Sequence, residues 1–160
     1  MSIDVHDRKI LEILQNDVSV TNLDLAERVG LSPTPCARRV KALYEQGYIK
    51  EQVAVLDAKK LGVGLTVYVQ IVLQTHTRSQ FAKFEEAVLP LEEVVECALI
   101  TGQDADYLLK IVVPDLDYYH KFLLANLTEI DGVKGVQSSF VLNTPKRTTK
   151  LPLDYVMGVK

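Results

Sequence analysis

The sequence predicts an α+β protein in two parts: three short helices, then a four-stranded antiparallel sheet with two helices on one face. Three observations predict it. Between Thr21 and Ile49, two short amphipathic stretches each begin at a hydroxyl residue and are separated by a glycine. From Leu65 to Leu142, an alternating apolar run, a run of helical period and a second alternating run follow in turn, and then the whole order repeats. The composition, 160 residues with 48% hydrophobic and 24% charged, is that of a globular chain with enough apolar surface for one or two small domains.

The first helix is expected over Asp4 to Asn16, with Asp4 as N-cap, Asp7 at the third position, and Ile10, Leu11 and Leu14 as its buried stripe. A second opens at Thr21, whose hydroxyl can accept an orphan N–H while Asp24 sits near the positive helix end. Leu23, Leu25, Ala26 and Val29 are its predicted buried side, and Gly30 can adopt the left-handed conformation that ends it. Ser32 is the next N-cap and Pro33 falls on the first helical position, where a missing N–H costs nothing.

In this third helix Cys36, Ala37, Val40, Leu43 and Tyr44 fall on one face. Thr34, Pro35, Arg38, Ala42 and Glu45 fall opposite, with Arg39 and Lys41 on the flanks. A slim face carrying small residues and guanidinium donors suits the major groove of DNA. It also suits an ordinary solvated helix, and the capped helix pair is what favours DNA.

On these residues, and on RVGLSPTPCARRVKALYEQGYI as a block, the chain resembles the Lrp/AsnC (leucine-responsive, feast/famine) family of transcription regulators. The resemblance implies a winged helix-turn-helix whose second helix is the recognition helix. DNA contacts are then expected from Ser32, Thr34, Pro35, Arg38, Arg39 and Lys41. It also implies a C-terminal ferredoxin-like βαββαβ domain (RAM, ACT-like) that forms dimers, which often assemble further into tetramers or octamers.

The net charge of −3 does not itself suggest a nucleic-acid partner. Its distribution matters more. Residues 1 to 60 hold nine basic and nine acidic side chains, and the excess acid lies beyond residue 60. From Leu31 to Lys50, Arg38, Arg39, Lys41 and Lys50 face Glu45 alone. So few phosphate contacts per chain call for a dimer reading two half-sites roughly 34 Å apart.

Residues 1–50 form the predicted DNA-binding domain and 51–62 a semi-rigid hinge, with a short strand over Gln52 to Leu56 and a single turn closed by Gly62. Residues 63–145 form the sheet domain and 146–160 a tail. In the sheet domain Leu65, Val67, Val69, Ile71 and Leu73 share a strand face. Phe81, Phe84, Val88 and Leu91 step by helical spacing, and Val94 to Ile100 is a strand. Tyr107 to Val113 is the next strand; Leu116, Tyr119, Leu123, Leu127 and Ile130 lie on one helix side; Val136 to Leu142 is the last strand. Two strand–helix–strand units make the ferredoxin-like plan. Its open face, with Tyr68, Val72, Leu108, Val112 and Val141, is apolar enough to favour packing against a second subunit, the alternative being scattered surface apolars on a monomer.

The loop Thr101–Tyr107, TGQDADY, joins the middle strands. A free amino acid needs unpaired N–H groups for its carboxylate and an acceptor for its ammonium, and Gly102 with Asp104 or Asp106 offers both, although Gly and Asp together also make a plain turn. The family resemblance implies an effector loop here, at a subunit interface, with Gly102, Gln103, Asp104, Asp106 and Tyr107, and further effector positions at Val136 and Ser138. The ending QSSFVLNTPKRTTKLPL resembles a branch associated with apolar amino acids such as leucine and methionine.

His6, His76 and His120 are isolated, no HExxH or Cys/His cluster occurs, and no glycine-rich phosphate loop appears, so neither an enzyme, a metal site nor a cofactor is expected. Cys36 and Cys97 lie far apart and read as reduced thiols. With no signal-like start or span-length apolar run, a cytoplasmic protein without a membrane partner is expected. An architectural DNA binder without effector, or a regulatory subunit of an amino-acid enzyme, are the alternatives.

Overall fold

The computed structural model describes residues 3–102 and 104–155. The chain divides into two compact units, Met1–Val55 with Lys146–Lys160, and Leu56–Pro145.

The first unit holds α1 (Val5–Leu14), α2 (Asn22–Val29) and α3 (Pro33–Glu45). Their apolar sides meet in one cluster of Ile10, Leu25, Ala26, Val29, Cys36 and Leu43, with Leu11, Leu14, Leu31, Val40 and Ile49 against it. Each Leu or Ile so buried is worth about 1.5–3 kcal/mol. Leu23, expected inside, is 66% exposed. At 100° per residue it lies roughly 160° around α2 from Leu25, outside the arc that Leu25, Val29 and Ala26 occupy. Ala37 is likewise exposed, at the margin of the buried side of α3. The tail returns to this unit: the Gln15 side-chain amide donates to the Leu151 carbonyl at 3.2 Å and accepts from its N–H at 3.0 Å. Arg8 also pairs with Asp154.

The strand expected over Gln52–Leu56 is not formed. Residues 51–57 carry no regular secondary structure, and Val53, Val55 and Leu56 are 67%, 71% and 64% exposed. A strand is completed by the ladder of a neighbour, and the four-stranded sheet does not include this segment. The turn that follows does form, closed by Val63 N–H to the Ala58 carbonyl, with Gly62 at φ 78°.

The second unit contains β1 (Leu65–Leu73), α4 (Arg78–Val88), β2 (Val94–Leu99), β3 (Tyr107–Val113), α5 (Leu116–Phe122) continued by a π turn (Leu123–Leu127), and β4 (Val133–Phe140). The antiparallel order is β2-β3-β1-β4, the ferredoxin-like arrangement. Alternation sets the two faces. Val67, Val69, Ile71, Leu109, Ile111 and Val113 point to the helices and are fully buried among Phe84, Val88, Tyr119, Phe122 and Leu127. Tyr68, Val72, Leu108 and Val112 occupy the open face. Leu116, at the first position of α5, is exposed and Phe122, three residues after the buried Tyr119, fills the core instead; the π turn shifts the helix phase beyond it, bringing Leu127 inside. β4 begins and ends earlier than expected, leaving Leu142 97% exposed.

Candidate functional sites

The start of α3 is fixed from three directions. Thr21 accepts from Asp24 N–H and its hydroxyl donates back to the Asp24 carboxylate at 2.7 Å, setting α2. Gly30 at φ 73° ends that helix in the left-handed region, and Leu31 N–H bonds back to the Ala26 carbonyl at 2.9 Å. The Asn22 side-chain amide then donates to the Pro33 carbonyl at 2.9 Å, tying the first turn of α2 to the first turn of α3. His6 Nδ1 lies 3.0 Å from the Val29 carbonyl, so it carries the proton and donates.

Ser32 occupies the N-cap position of α3 with an extended backbone, but its side chain makes no cap hydrogen bond. Ser32, Thr34, Pro35 and Arg38 are all exposed, and Lys41 is 77% exposed with Glu45 at 3.6 Å. Arg39 differs. Its guanidinium Nη1 donates at 2.7 Å to Asp4 Oδ2 and at 2.7 Å to Asp7 Oδ1 on α1. Bonding to Asp7 and then to Asp4 pushes the Arg39 pKa above its ordinary value. Partial burial raises the Asp4 carboxyl, and its hydrogen bonds from Asp7 N–H and Arg39 more than offset this, leaving it below the usual carboxylate value. A groove of about 570 Å³ runs along this side, lined among others by Pro35, Arg38, Lys41 and Ala42.

In the second unit, Ile71 of β1 pairs with Tyr107 of β3 on one side and with Val136 of β4 on the other. The loop and last-strand positions are therefore brought to one end of the sheet. Asp106 anchors the loop: its N–H donates to the Ile71 carbonyl at 2.8 Å, and its Oδ2 accepts from Leu73 N–H at 2.7 Å. Its Oδ1 lies 2.8 Å from His76 Nε2. Gly102 and Asp104 are exposed, and Gln103 lies outside the described residues.

Tyr107 sits in the core against Phe84, with ring centroids 4.6 Å apart, and donates to Glu85 Oε1 at 2.6 Å. Burial first, then the Glu85 carboxylate, push its hydroxyl far above the ordinary phenol value. Val136 and Ser138 face the helices: Val136 packs on the core, and Ser138 shares a 2.5 Å hydrogen bond with the Tyr119 hydroxyl. Sequence reading missed His76, Asp4 and Asp7 as partners of site residues, and no spacing signal links positions 30 or more residues apart.

Residues 66–151 match the model of the Lrp/AsnC ligand binding domain. The chain belongs to the Lrp/AsnC family.

Residues 3–50 match the model of a winged helix-turn-helix DNA-binding domain, which places both matched regions on the elements described above. Among curated Lrp/AsnC relatives, the transcriptional regulator AzlB of Bacillus subtilis is 39% identical over 95% of this chain and 96% of its own length. The leucine-responsive regulatory protein of Escherichia coli is 42% identical over 91% and 88%. A transcriptional regulator from Neisseria meningitidis, crystallised as a complex with L-Met, superimposes with a TM-score of 0.92 at 36% identity, covering 98% of this chain and all of that one. An AsnC family regulator from Agrobacterium tumefaciens gives 0.91 at 42%, covering 97% and 100%. The protein is thus a DNA-binding transcriptional regulator with an Lrp/AsnC ligand-binding domain, in a family of regulators and not of enzymes. No helix among the described residues is long and apolar enough to cross a membrane.

Proposed function

We propose that this regulator reads double-stranded DNA with α3 as a homodimer, and that a free apolar amino acid such as leucine or methionine, held between subunits near the Thr101–Tyr107 loop, alters how its dimers assemble. The exposed row Ser32, Thr34, Pro35 and Arg38 on a helix start locked from three directions is the observation that carries the DNA reading. Ser32 supports it further, because a hydroxyl not spent on the helix cap remains available to a phosphate. The loop and β4 positions that meet around Ile71 support the effector reading, as does the L-Met bound to the Neisseria relative.

The dimer reading is supported by the half-exposed apolar open face of the sheet, where Tyr68 is 37% exposed, and by the exposed segment Val53–Leu56, which joins no ladder. A ligand seated between subunits shifts assembly only by its differential affinity for the alternative assemblies, and DNA of matching spacing must change its affinity by the same factor.

The test is thermal unfolding of the full chain with each proteinogenic amino acid in turn. A ligand at a hundred times its dissociation constant adds about 2.7 kcal/mol. A rise confined to leucine, methionine or similar residues is expected, accompanied by a change in mass by light scattering. No rise with any of them would overturn the effector reading and leave an architectural DNA binder.

A further inference from the structure

Two adjacent arginines of α3 are put to opposite uses. Arg38 is exposed beside Thr34 and Pro35, whereas Arg39, about 100° further round the helix, turns back onto the first turn of α1. What it meets there is unusual chemistry. Asp4 and Asp7 cap α1 reciprocally: Asp4 Oδ1 accepts from Asp7 N–H at 2.9 Å, and Asp7 Oδ2 accepts from Asp4 N–H at 3.2 Å.

The common form of this cap pairs a neutral hydroxyl with one acid. Here both members are acids, so two negative charges share one helical turn and repel. Asp7 is also largely withdrawn from water, its side chain only 12% exposed. The two oxygens that the cap leaves over, Asp4 Oδ2 and Asp7 Oδ1, both accept from Arg39 Nη1. One nitrogen of α3 therefore completes the start of α1.

We propose that Arg39 is a positioning residue for DNA recognition: by bridging Asp4 and Asp7 it fixes the rotation of α3 about its own axis, so that Arg38 and Thr34 face the groove. The proposal rests on α3 being the recognition helix. One guanidinium between two carboxylates leaves a local net charge of −1, which disfavours a phosphate beside Arg39. The contact also spans two helices, which makes it a gauge of how α3 is set against α1.

The experiment uses the full chain and a duplex that it selects from a random-sequence pool, with an unrelated duplex as reference. Affinities are measured across a salt series, at a temperature where circular dichroism shows every variant folded. Asp7→Asn preserves an acceptor for the cap and removes one of the two charges that hold Arg39, the more buried one. Taking a negative charge away from a DNA-binding face strengthens binding by electrostatics alone. The positioning role predicts the reverse, a loss on the order of tenfold on the selected duplex for Asp7→Asn and for Arg39→Ala alike.

The double variant should be no weaker than the weaker single, since both break one contact. Affinity of Asp7→Asn for the unrelated duplex should not fall, the salt slope of either variant should stay within about 1 of the unaltered protein's, and Arg39→Lys should recover part of the loss on the selected duplex. Arg38→Ala, in contrast, should lower the salt slope by about 1. Binding by Asp7→Asn as tight as the parent or tighter would overturn the proposal, because a freed Arg39 would then be a DNA contact. So would an equal loss by Arg39→Ala on both duplexes. Undiminished binding by Arg38→Ala would instead overturn the assignment of α3 itself.

Discussion

Replacing Asp106 with alanine removes two acceptors that the end of β1 depends on. Oδ2 takes the N–H of Leu73, a residue only 2% exposed, so that donor loses its partner once the carboxylate is gone. An orphaned buried N–H costs about 1–3 kcal/mol. Oδ1 pairs with His76, which is 66% exposed, and that contact adds at most about 1 kcal/mol because solvent screens it. The total of about 2 kcal/mol falls on the unit Leu56–Pro145, and in a domain of about 60–100 residues each kcal/mol moves the midpoint by roughly 4–8 °C. Differential scanning calorimetry at neutral pH should therefore show the transition of this unit about 10 °C lower. Asp106→Asn, which keeps an acceptor for Leu73, should fall between. Asp104→Ala, on an exposed side chain of the same loop, should stay within about 0.5 kcal/mol of the parent. A parent-like midpoint for Asp106→Ala, or an equal drop for Asp104→Ala, would refute the reasoning that Asp106 is the anchor of the loop.

Stability of the DNA-binding unit should also weaken on the acid side. The Asp4 carboxyl is held below its ordinary 3.8, so the folded state binds its proton later than the unfolded state. Its contribution is whole above that value and is lost as pH falls through the lower folded value. Asp4→Asn keeps the cap and drops the charge, so urea melts should show it less stable than the parent at about pH 6, with the gap narrowing as pH falls below 3.8; a gap that is constant or widens would contradict this. Gln15→Ala removes both hydrogen bonds to Leu151, and amide exchange at Leu151 should then accelerate by about tenfold or more while Ile10, fully buried, keeps its protection. Unchanged exchange at Leu151 would show that the tail is held by other contacts.

Local chemistry settled much of this protein in advance. Asp4, Thr21, Gly30 and Pro33 each act within about one helical turn, through caps and fixed dihedrals, so that α1, α2 and α3 begin, and α2 ends, where those residues place them, whereas α1 stops at Leu14, short of the expected Asn16. The period-2 and period-3.6 runs likewise assigned the strands, the helices and the buried face of β1, because burial acts on every side chain of a face at once. The order β2-β3-β1-β4 followed from two repeated units with few ways to close.

Other features were decided by contacts between residues far apart in sequence, which no local pattern encodes. Arg38 and Arg39 are equivalent as letters, and only the position of α1 turns one outward and the other onto Asp4 and Asp7. Asp106 looked like a free acceptor until Leu73 and His76 were folded against it, and Tyr107 like a loop residue until Phe84 and Glu85 closed over it. The tail had no periodicity, yet Gln15 and Arg8 draw it to α1. The segment Gln52–Leu56 has the residues of a strand and lacks a ladder. Caps and periodicities are properties of a few consecutive residues, whereas hydrogen-bond partners are chosen by whatever the fold brings within about 3 Å.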